Sequence, residues 1–355
     1  MKTIHKSTFR ELVLAMLVSL PVLNFIMMTE KMMRLSRLLS SVGASPGELF
    51  TIILYIQPEL LLLTLPMAFL LSVLYTYGRM NADSELIILR ASGMSFREAA
   101  KPAFILGIVC VMLGLLVSFR LEPEGKRDLR LAITNTLRLR APSAIEPGTF
   151  NTFVKDTVIY AMHGEGRRLS GVFIYDERKP DRPVVIYAKT GGIEPTPDGT
   201  SFIFNLKDGL IHFTKGSRLI EIFFRNYNLL LPLSLDEPGK RLGELTPGEL
   251  LKEAGQMKGL DKTRRYLELD SRLTYPLLSF AMMFLAPVLS LYSGRRARLG
   301  GLAMGTFIFA FYYVMLTYSQ KLSEAGKLPH IIGGWGPFLI VLAVSLRAFR
   351  KVNRR

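Results

Sequence analysis

Between Arg79 and Gly93 the chain reads RMNADSELIILRASG, an acid-bearing, half-apolar stretch set between two strongly apolar segments, Phe50–Tyr77 and Pro102–Leu121. Asn81, Asp83 or Ser84 is suited to cap a two-turn helix here, and acids near its start complement the positive end of the helix dipole. Gly93 suits a left-handed exit. Directly after it, Ser95 and Glu98 have the spacing of a capping box that opens the next helix. The stretch therefore predicts a separate short helix over about residues 81–92, lying across the ends of its neighbours. Its apolar run, Leu86 to Leu89, covers more of the circumference than exposure to water tolerates. In one reading that run packs on its neighbours and the acids are solvated. In the other, Asp83 and Glu85 reach a basic groove on a soluble partner and receive force from it.

Working outward, six segments have the ~20 apolar residues that a helix needs to cross a bilayer. They are Leu12–Met33, Phe50–Tyr77, Pro102–Leu121, Leu273–Tyr292, Leu299–Gln320 and Leu328–Leu346, edged by Tyr and by Trp335. The first is too long for a signal peptide, and TEKMMRLS beyond it offers no small-residue cleavage site. The net charge of +16 is segregated: residues 122–268 hold 23 Lys+Arg against 20 Asp+Glu, so most of the excess sits in short connections between apolar runs. That pattern argues for membrane topology rather than nucleic-acid binding. Lys2, Lys6 and Arg10 mark the first of four basic segments; Arg79, Arg90, Arg97 and Lys101 mark the second. The third is Arg295, Arg296 and Arg298, and the fourth is the tail with Arg347, Arg350, Lys351, Arg354 and Arg355. By the positive-inside rule all four are cytoplasmic, with both termini inside and residues 122–268 outside.

In that long segment EPEGKRDLRLAITNTLRLR reads as a helix, and from Gly148 the period changes. TFNTFV, TVIYAM, GVFIYDE, PVVIYAK, SFIFNL, LIHFT and RLIEIFFRNYNLLL are short, β-branched and aromatic, separated by turn clusters such as PTPDGT. Seven or eight strands suggest a sandwich, jelly roll or barrel. Thr246, Pro247 and Glu249 then open a helix with a capping box. The expected fold is an α-helical integral membrane protein of six transmembrane helices with an all-β, jelly-roll-like extracytoplasmic domain. Its parts are residues 1–121 with three spans, 122–268 with the β domain, and 269–355 with three spans and a basic tail.

Catalytic motifs are missing. The Gly-Lys pairs at Gly125, Gly239 and Gly326 are followed by Arg, Arg and Leu, so the chain lacks a Walker-type phosphate loop. There is no HExxH, GxSxG or GxGxxG; His5, His163, His212 and His330 are scattered, and the single Cys110 lies in an apolar run as a packing residue. No enzyme activity, metal or resident cofactor is expected.

Other residues stand out. Lys31 and Arg34 share one flank of the first helix, with Arg37 a turn further. They suit phosphorylated lipid through charge-assisted hydrogen bonds, or simple snorkelling to ordinary headgroups. Glu59 is an acid inside a span and needs a cavity or a partner; Pro58 and Pro66 are expected to kink that helix. Gly301-x-x-x-Gly305 permits close helix approach, within the chain or at a seam with a second chain.

The order D-S-E-L at 83–86, R-A-S-G at 90–93, Q-P-E at 57–59, L-P at 65–66 and K-x-x-R at 31 and 34 resembles the lipopolysaccharide export permease family of LptF/LptG type, over essentially the whole chain and closer to LptF. The resemblance implies two such permeases on a dimeric, LptB-like ABC ATPase that supplies ATP and Mg chemistry, with LptC-like and LptA-like periplasmic β proteins beyond. It implies an inner-membrane location and lipopolysaccharide as cargo. Asp83, Glu85 and Arg90 become the ATPase-coupling residues, Lys31 and Arg34 contacts to lipid phosphates with Arg37 beside them, and Gly301 and Gly305 part of a gate. The rivals are a membrane signalling or mechanotransmission protein with a β sensor domain, and a lipid-modifying enzyme, which would need a catalytic cluster.

Overall fold

The computed structural model describes the chain except residues 1, 41–44, 141–144, 146, 152–153, 155, 179–182, 197–200, 216–217, 233–239, 293–296 and 355, and within some elements the backbone alone. The expected cations Arg295, Arg296 and Arg355 lie outside the described residues, and so does the side chain of Arg298. Two compact units are present. The first contains residues 1–29, 55–127 and 240–355; the second contains 30–54 and 128–239.

Ten α-helices are described: α1 Lys2–Ser40, α2 Pro46–Ala82, α3 Glu85–Ala91, α4 Phe96–Ala99, α5 Lys101–Leu116, α6 Glu122–Arg140, α7 Pro247–Gln256, α8 Gly259–Tyr292, α9 Ala297–Glu324 and α10 His330–Asn353. With 39 and 37 residues, α1 and α2 each run roughly 55–60 Å, well beyond a ~30 Å hydrocarbon core. Among the described residues, five helices are long and apolar enough to cross a membrane: Thr3–Met33, Pro46–Ala82, Lys101–Thr134, Gly259–Leu291 and His330–Asn353. The sixth expected span, Leu299–Gln320, falls on the 28-residue α9, whose side chains are described from residue 303 onward. A wide π turn, Val117–Leu121, joins α5 to α6 without a break, and beside it the Ser118 hydroxyl donates to the Arg272 carbonyl at 2.9 Å.

The helical core is built on α2. Phe69, Leu70, Val73, Leu74 and Tyr77 are fully buried against Ala103, Leu106 and Cys110 of α5, Leu278 and Met282 of α8, and Tyr312 and Leu316 of α9. Cys110 thus packs as its sequence context suggested. At the α3 end, Phe96, Phe104, Phe284 and Phe349 form an aromatic knot with centroids 5.2–5.6 Å apart, joining α4, α5, α8 and α10. The first helix is different. Only 11% of its most apolar window is buried, and Leu17, Val18, Phe25 and Ile26 are exposed.

The second unit holds one antiparallel sheet of six strands in the order β1-β2-β3-β4-β5-β6: Phe150–Asn151, Thr157–Glu165, Arg168–Asp176, Val184–Pro195, Ser201–Lys215 and Arg218–Pro232. Each described strand pairs with its sequence neighbour, a meander in place of the expected jelly-roll order. The count is six because SFIFNL and LIHFT form one strand that continues through Asp208, at φ 50°, and Gly209.

A crease crosses this sheet. Inward residues fall three apart in place of two: Leu169 and Val172 on β3, Gly191 and Ala188 on β4. The crease passes Gly171, at φ 62°, and Asp208, while register stays in phase on both sides. The buried side carries Ile159, Ile174, Ile186, Phe202, Phe204 and Leu231. On the opposite face, Phe150, Tyr160, Phe173, Tyr187, Leu210 and Phe223 stand in one register row across all six strands. Phe150, Tyr187 and Phe223 of that row are exposed.

Candidate functional site

The bend is built as two short helices. After α2 ends, Ser84 occupies the N-cap position of α3 with φ 59°, and its side chain makes no cap bond. The expected helix over 81–92 is thus shorter, because Asn81 and Ala82 complete α2. Gly93 does take the left-handed exit, at φ 88°, with its N–H on the Arg90 carbonyl at 3.0 Å. Ser95 and Glu98 form the expected capping box: the Ser95 hydroxyl accepts from the Glu98 N–H and the Glu98 carboxylate from the Ser95 N–H, both at 3.2 Å. Three bonds fix the bend. Tyr77 donates to the Ala99 carbonyl at 2.8 Å, Asn81 to the Leu291 carbonyl at 3.4 Å, and the Arg97 N–H to Asn353 at 3.2 Å.

Leu86 is the inward anchor of α3 and Leu89 is half-buried, whereas Ile87 and Ile88 are 61% and 65% exposed. The run is thus split, with Leu86 packed on its neighbours and Ile87 and Ile88 open to solvent. Arg79, at the end of α2, gathers three carboxylates. Its Nη1 donates to Asp83 at 3.2 Å and Glu85 at 3.0 Å, and its Nη2 donates to Glu11 of α1 at 2.7 Å. Arg90 is exposed in the last turn of α3. Sequence reading assigned Arg79 only to the basic side of the membrane. Its spacing of four from Asp83 was a visible pairing signal, but Glu11 lies 68 residues away.

Glu59 has a defined setting. It lines a cavity of about 200 Å³ with Glu122, Lys126, Glu268, Ser271, Arg272, Tyr275, Tyr313 and Gln320. Lys126 Nζ donates to Glu122 at 2.6 Å. Arg272, 1% exposed, donates to the carbonyls of Leu245 and Gly243 and to Glu268 at 3.3 Å. Nearby in sequence, buried Asp270 accepts from Trp335 Nε1 at 2.9 Å and lies 3.0 Å from His330 Nδ1, which stacks on Tyr266. These contacts tie α8 to α10, and they explain Trp335 and His330 as packing partners. Sequence reading found neither network, because the partners are dispersed over five helices, α2, α6, α8, α9 and α10.

Lys31 is half-buried near the far end of α1; Arg34 and Arg37 follow on the same helix, their side chains outside the described residues. Gly305 faces α2 of its own chain: a Cβ there would sit 2.7 Å from Leu74 Cδ1 and 3.2 Å from Leu71 Cδ2. Its smallness thus serves close packing within the chain. The surroundings of Gly301 lie outside the described residues. On α9, Phe307, Phe311, Val314 and Tyr318 are exposed. Among the described residues no His, Cys, Asp or Glu group has the makings of a metal site.

An uncharacterized protein of Rickettsia prowazekii, RP871, is 24% identical over 318 residues, covering 86% of each chain. The lipopolysaccharide export system permease protein LptF of Escherichia coli strain K12 is 23% identical over 299 residues, 81% of this chain and 78% of that one, and LptF of Shigella flexneri gives the same figures. The family profile for lipopolysaccharide export system permease LptF/LptG matches residues 6–351. With the apolar helices, the antiparallel β domain and the α3 bend all inside that match, the chain belongs to the LptF/LptG family of lipopolysaccharide export permeases.

Proposed function

We propose that the chain is one of two permease subunits that extract lipopolysaccharide from the outer leaflet of an inner membrane, driven by a cytoplasmic ABC ATPase. The carrying observation is the bend: exposed Ile87 and Ile88 stand on α3 with Glu85, just after Asp83, in a segment tied at its two ends to α8 and α10. An apolar patch rimmed by acids fits a partner groove with apolar walls and a cation. The chain has no phosphate loop of its own, so the nucleotide site belongs to that partner. Basic residues at the α3 end and in the tail assign this face to the cytoplasm and both termini to the same side.

The second permease is expected against the exposed apolar faces of α1 and α9, and Lys31, Arg34 and Arg37 are the cations offered to lipid phosphates. The physical need for ATP is clear: each methylene of an acyl chain costs ~0.8 kcal/mol to expose to water. The exposed aromatics of the sheet, Phe150, Tyr187 and Phe223, offer apolar area to a lipid on its way to LptC-like and LptA-like β proteins.

Purification in mild detergent tests this reading. The expected complex carries this chain, a second six-span chain of the same plan, an ATPase and bound lipopolysaccharide. A chain that purifies alone with a small sensor ligand favours the signalling alternative and removes the permease. Within the complex, Lys31→Glu with Arg34→Glu is expected to lower retained lipopolysaccharide about tenfold while assembly persists. Unchanged retention assigns these cations to ordinary headgroups.

A further inference from the structure

We infer that Arg79 is a positioning residue that couples the docking helix α3 to the first span α1, so that engagement of Glu85 by a partner is felt at Glu11. The inference rests on the permease reading above and adds to it the route by which the bend acts on the chain.

The geometry is a fork. One nitrogen of the Arg79 guanidinium holds Glu85 and Asp83, and the other holds Glu11 at 2.7 Å. Arginine supports this because its planar donors serve two directions at once, which a lysine ammonium does less well. Within the cluster one cation faces three carboxylates. Two negative charges remain in excess, and a cation brought by a partner is attracted to the acids of the bend, Asp83 and Glu85, which are more exposed than Glu11. When that cation takes Glu85, the guanidinium is released towards Glu11 and Asp83, and the balance of forces on α1 changes.

Two further observations make α1 the receiver. It is weakly held, with 11% of its apolar window buried, while the equivalent window of α2 is 78% buried. Its contacts concentrate next to Glu11, where Leu12 and Thr8 are buried. A cavity of about 290 Å³ also separates the first turns of α1 from α3, lined by Ile4, Ser7, Thr8, Ile88 and Leu89, with Glu11, Arg79 and Glu85 on its wall. The fork thus stands on the wall of a gap that packing between α1 and α3 leaves open.

Glu11 separates relay from docking, because it lies on α1 and has no place on the α3 face. The complex of this chain with its second permease and ATPase is reconstituted in proteoliposomes containing lipopolysaccharide. ATPase retention, ATP hydrolysis and lipid released per ATP are then measured for Glu11→Gln, Arg79→Gln, Arg79→Lys and the Glu11→Gln/Arg79→Gln pair. Glu11→Gln is expected to keep the ATPase and its hydrolysis and to lower lipid released per ATP about fivefold or more, the scale of a typical coupling between sites. The double variant is expected to fall no further than Arg79→Gln, because both remove one link. Arg79→Lys is expected to recover part of the loss. Wild-type release per ATP in Glu11→Gln, or independent additive losses in the pair, overturns the relay. Should Glu11→Gln elute as aggregate, the Arg79→Lys and Arg79→Gln comparison decides: equal release in the two overturns the relay. A wild-type chain that retains no ATPase instead removes the permease reading itself.

Discussion

Two clusters in the helical unit hold three carboxylates each, and they are built for opposite purposes. Glu59, Glu122 and Glu268 share a small cavity with Lys126 and with Arg272, which is 1% exposed and spends its donors on backbone carbonyls and Glu268. Glu11, Asp83 and Glu85 share the single Arg79, and these carboxylates are 39%, 53% and 43% exposed. Along α2 the sites are about 30 Å apart, at 1.5 Å per residue from Glu59 to Arg79. In the enclosed cluster, charges removed from water must keep their partners, so it fixes helices. In the open one, water lowers the cost of exchanging partners, so it can hand a carboxylate to another molecule.

The comparison breaks most visibly at Arg272. Arg272→Ala removes a cation from beside Glu268 and leaves the Leu245 and Gly243 carbonyls without that donor; it is expected to cost about 3–5 kcal/mol, read as early thermal unfolding of the detergent-solubilised chain. A shift within the error of wild type means the enclosed cluster is solvated and the contrast fails. At the open cluster, Asp83→Asn is expected to change stability by under ~1 kcal/mol, with the same thermal readout; a loss as large as that of Arg272→Ala removes the distinction.

The smallest effect concerns a carboxylate outside the spans. Glu249 accepts from Lys240 and caps α7 through the Thr246 N–H, and these contacts hold its carboxyl down to about 2, from an ordinary 4.5. A depressed folded value means that its contribution is complete above about pH 4.5 and is lost as pH falls towards 2. Hydrogen exchange is expected to report faster opening of α7 across that window, and Glu249→Gln is expected to abolish the pH dependence. An unchanged profile in the variant contradicts the assignment.

Legibility in the sequence followed the range of the interaction. The apolar spans, the Ser95–Glu98 and Thr246–Glu249 capping boxes and the Gly93 exit depend on residues within one turn, and their patterns are plain. Strand positions were readable for the same reason. Their number was not, because Asp208-Gly209 has the composition of a turn while cross-strand bonding on both sides keeps the strand going. The crease also hid, since it breaks the two-residue alternation at one point in each strand and only alignment across the sheet makes it a line. At the site, Asp83 and Glu85 were legible from the acid-rich helix start, whereas their cation was read as a topology marker. Glu59 asked for a cavity or a partner, and it lines a cavity with Lys126 of α6 and Arg272 of α8, too far along the sequence for any spacing rule.

The most direct test of the central claim is lipid released per ATP hydrolysed in the reconstituted complex carrying Glu85→Lys. Docking through α3 predicts that the variant chain folds and inserts normally while the ATPase dissociates or hydrolyses ATP with about tenfold less lipid released. Full ATPase retention with wild-type release per ATP would contradict it.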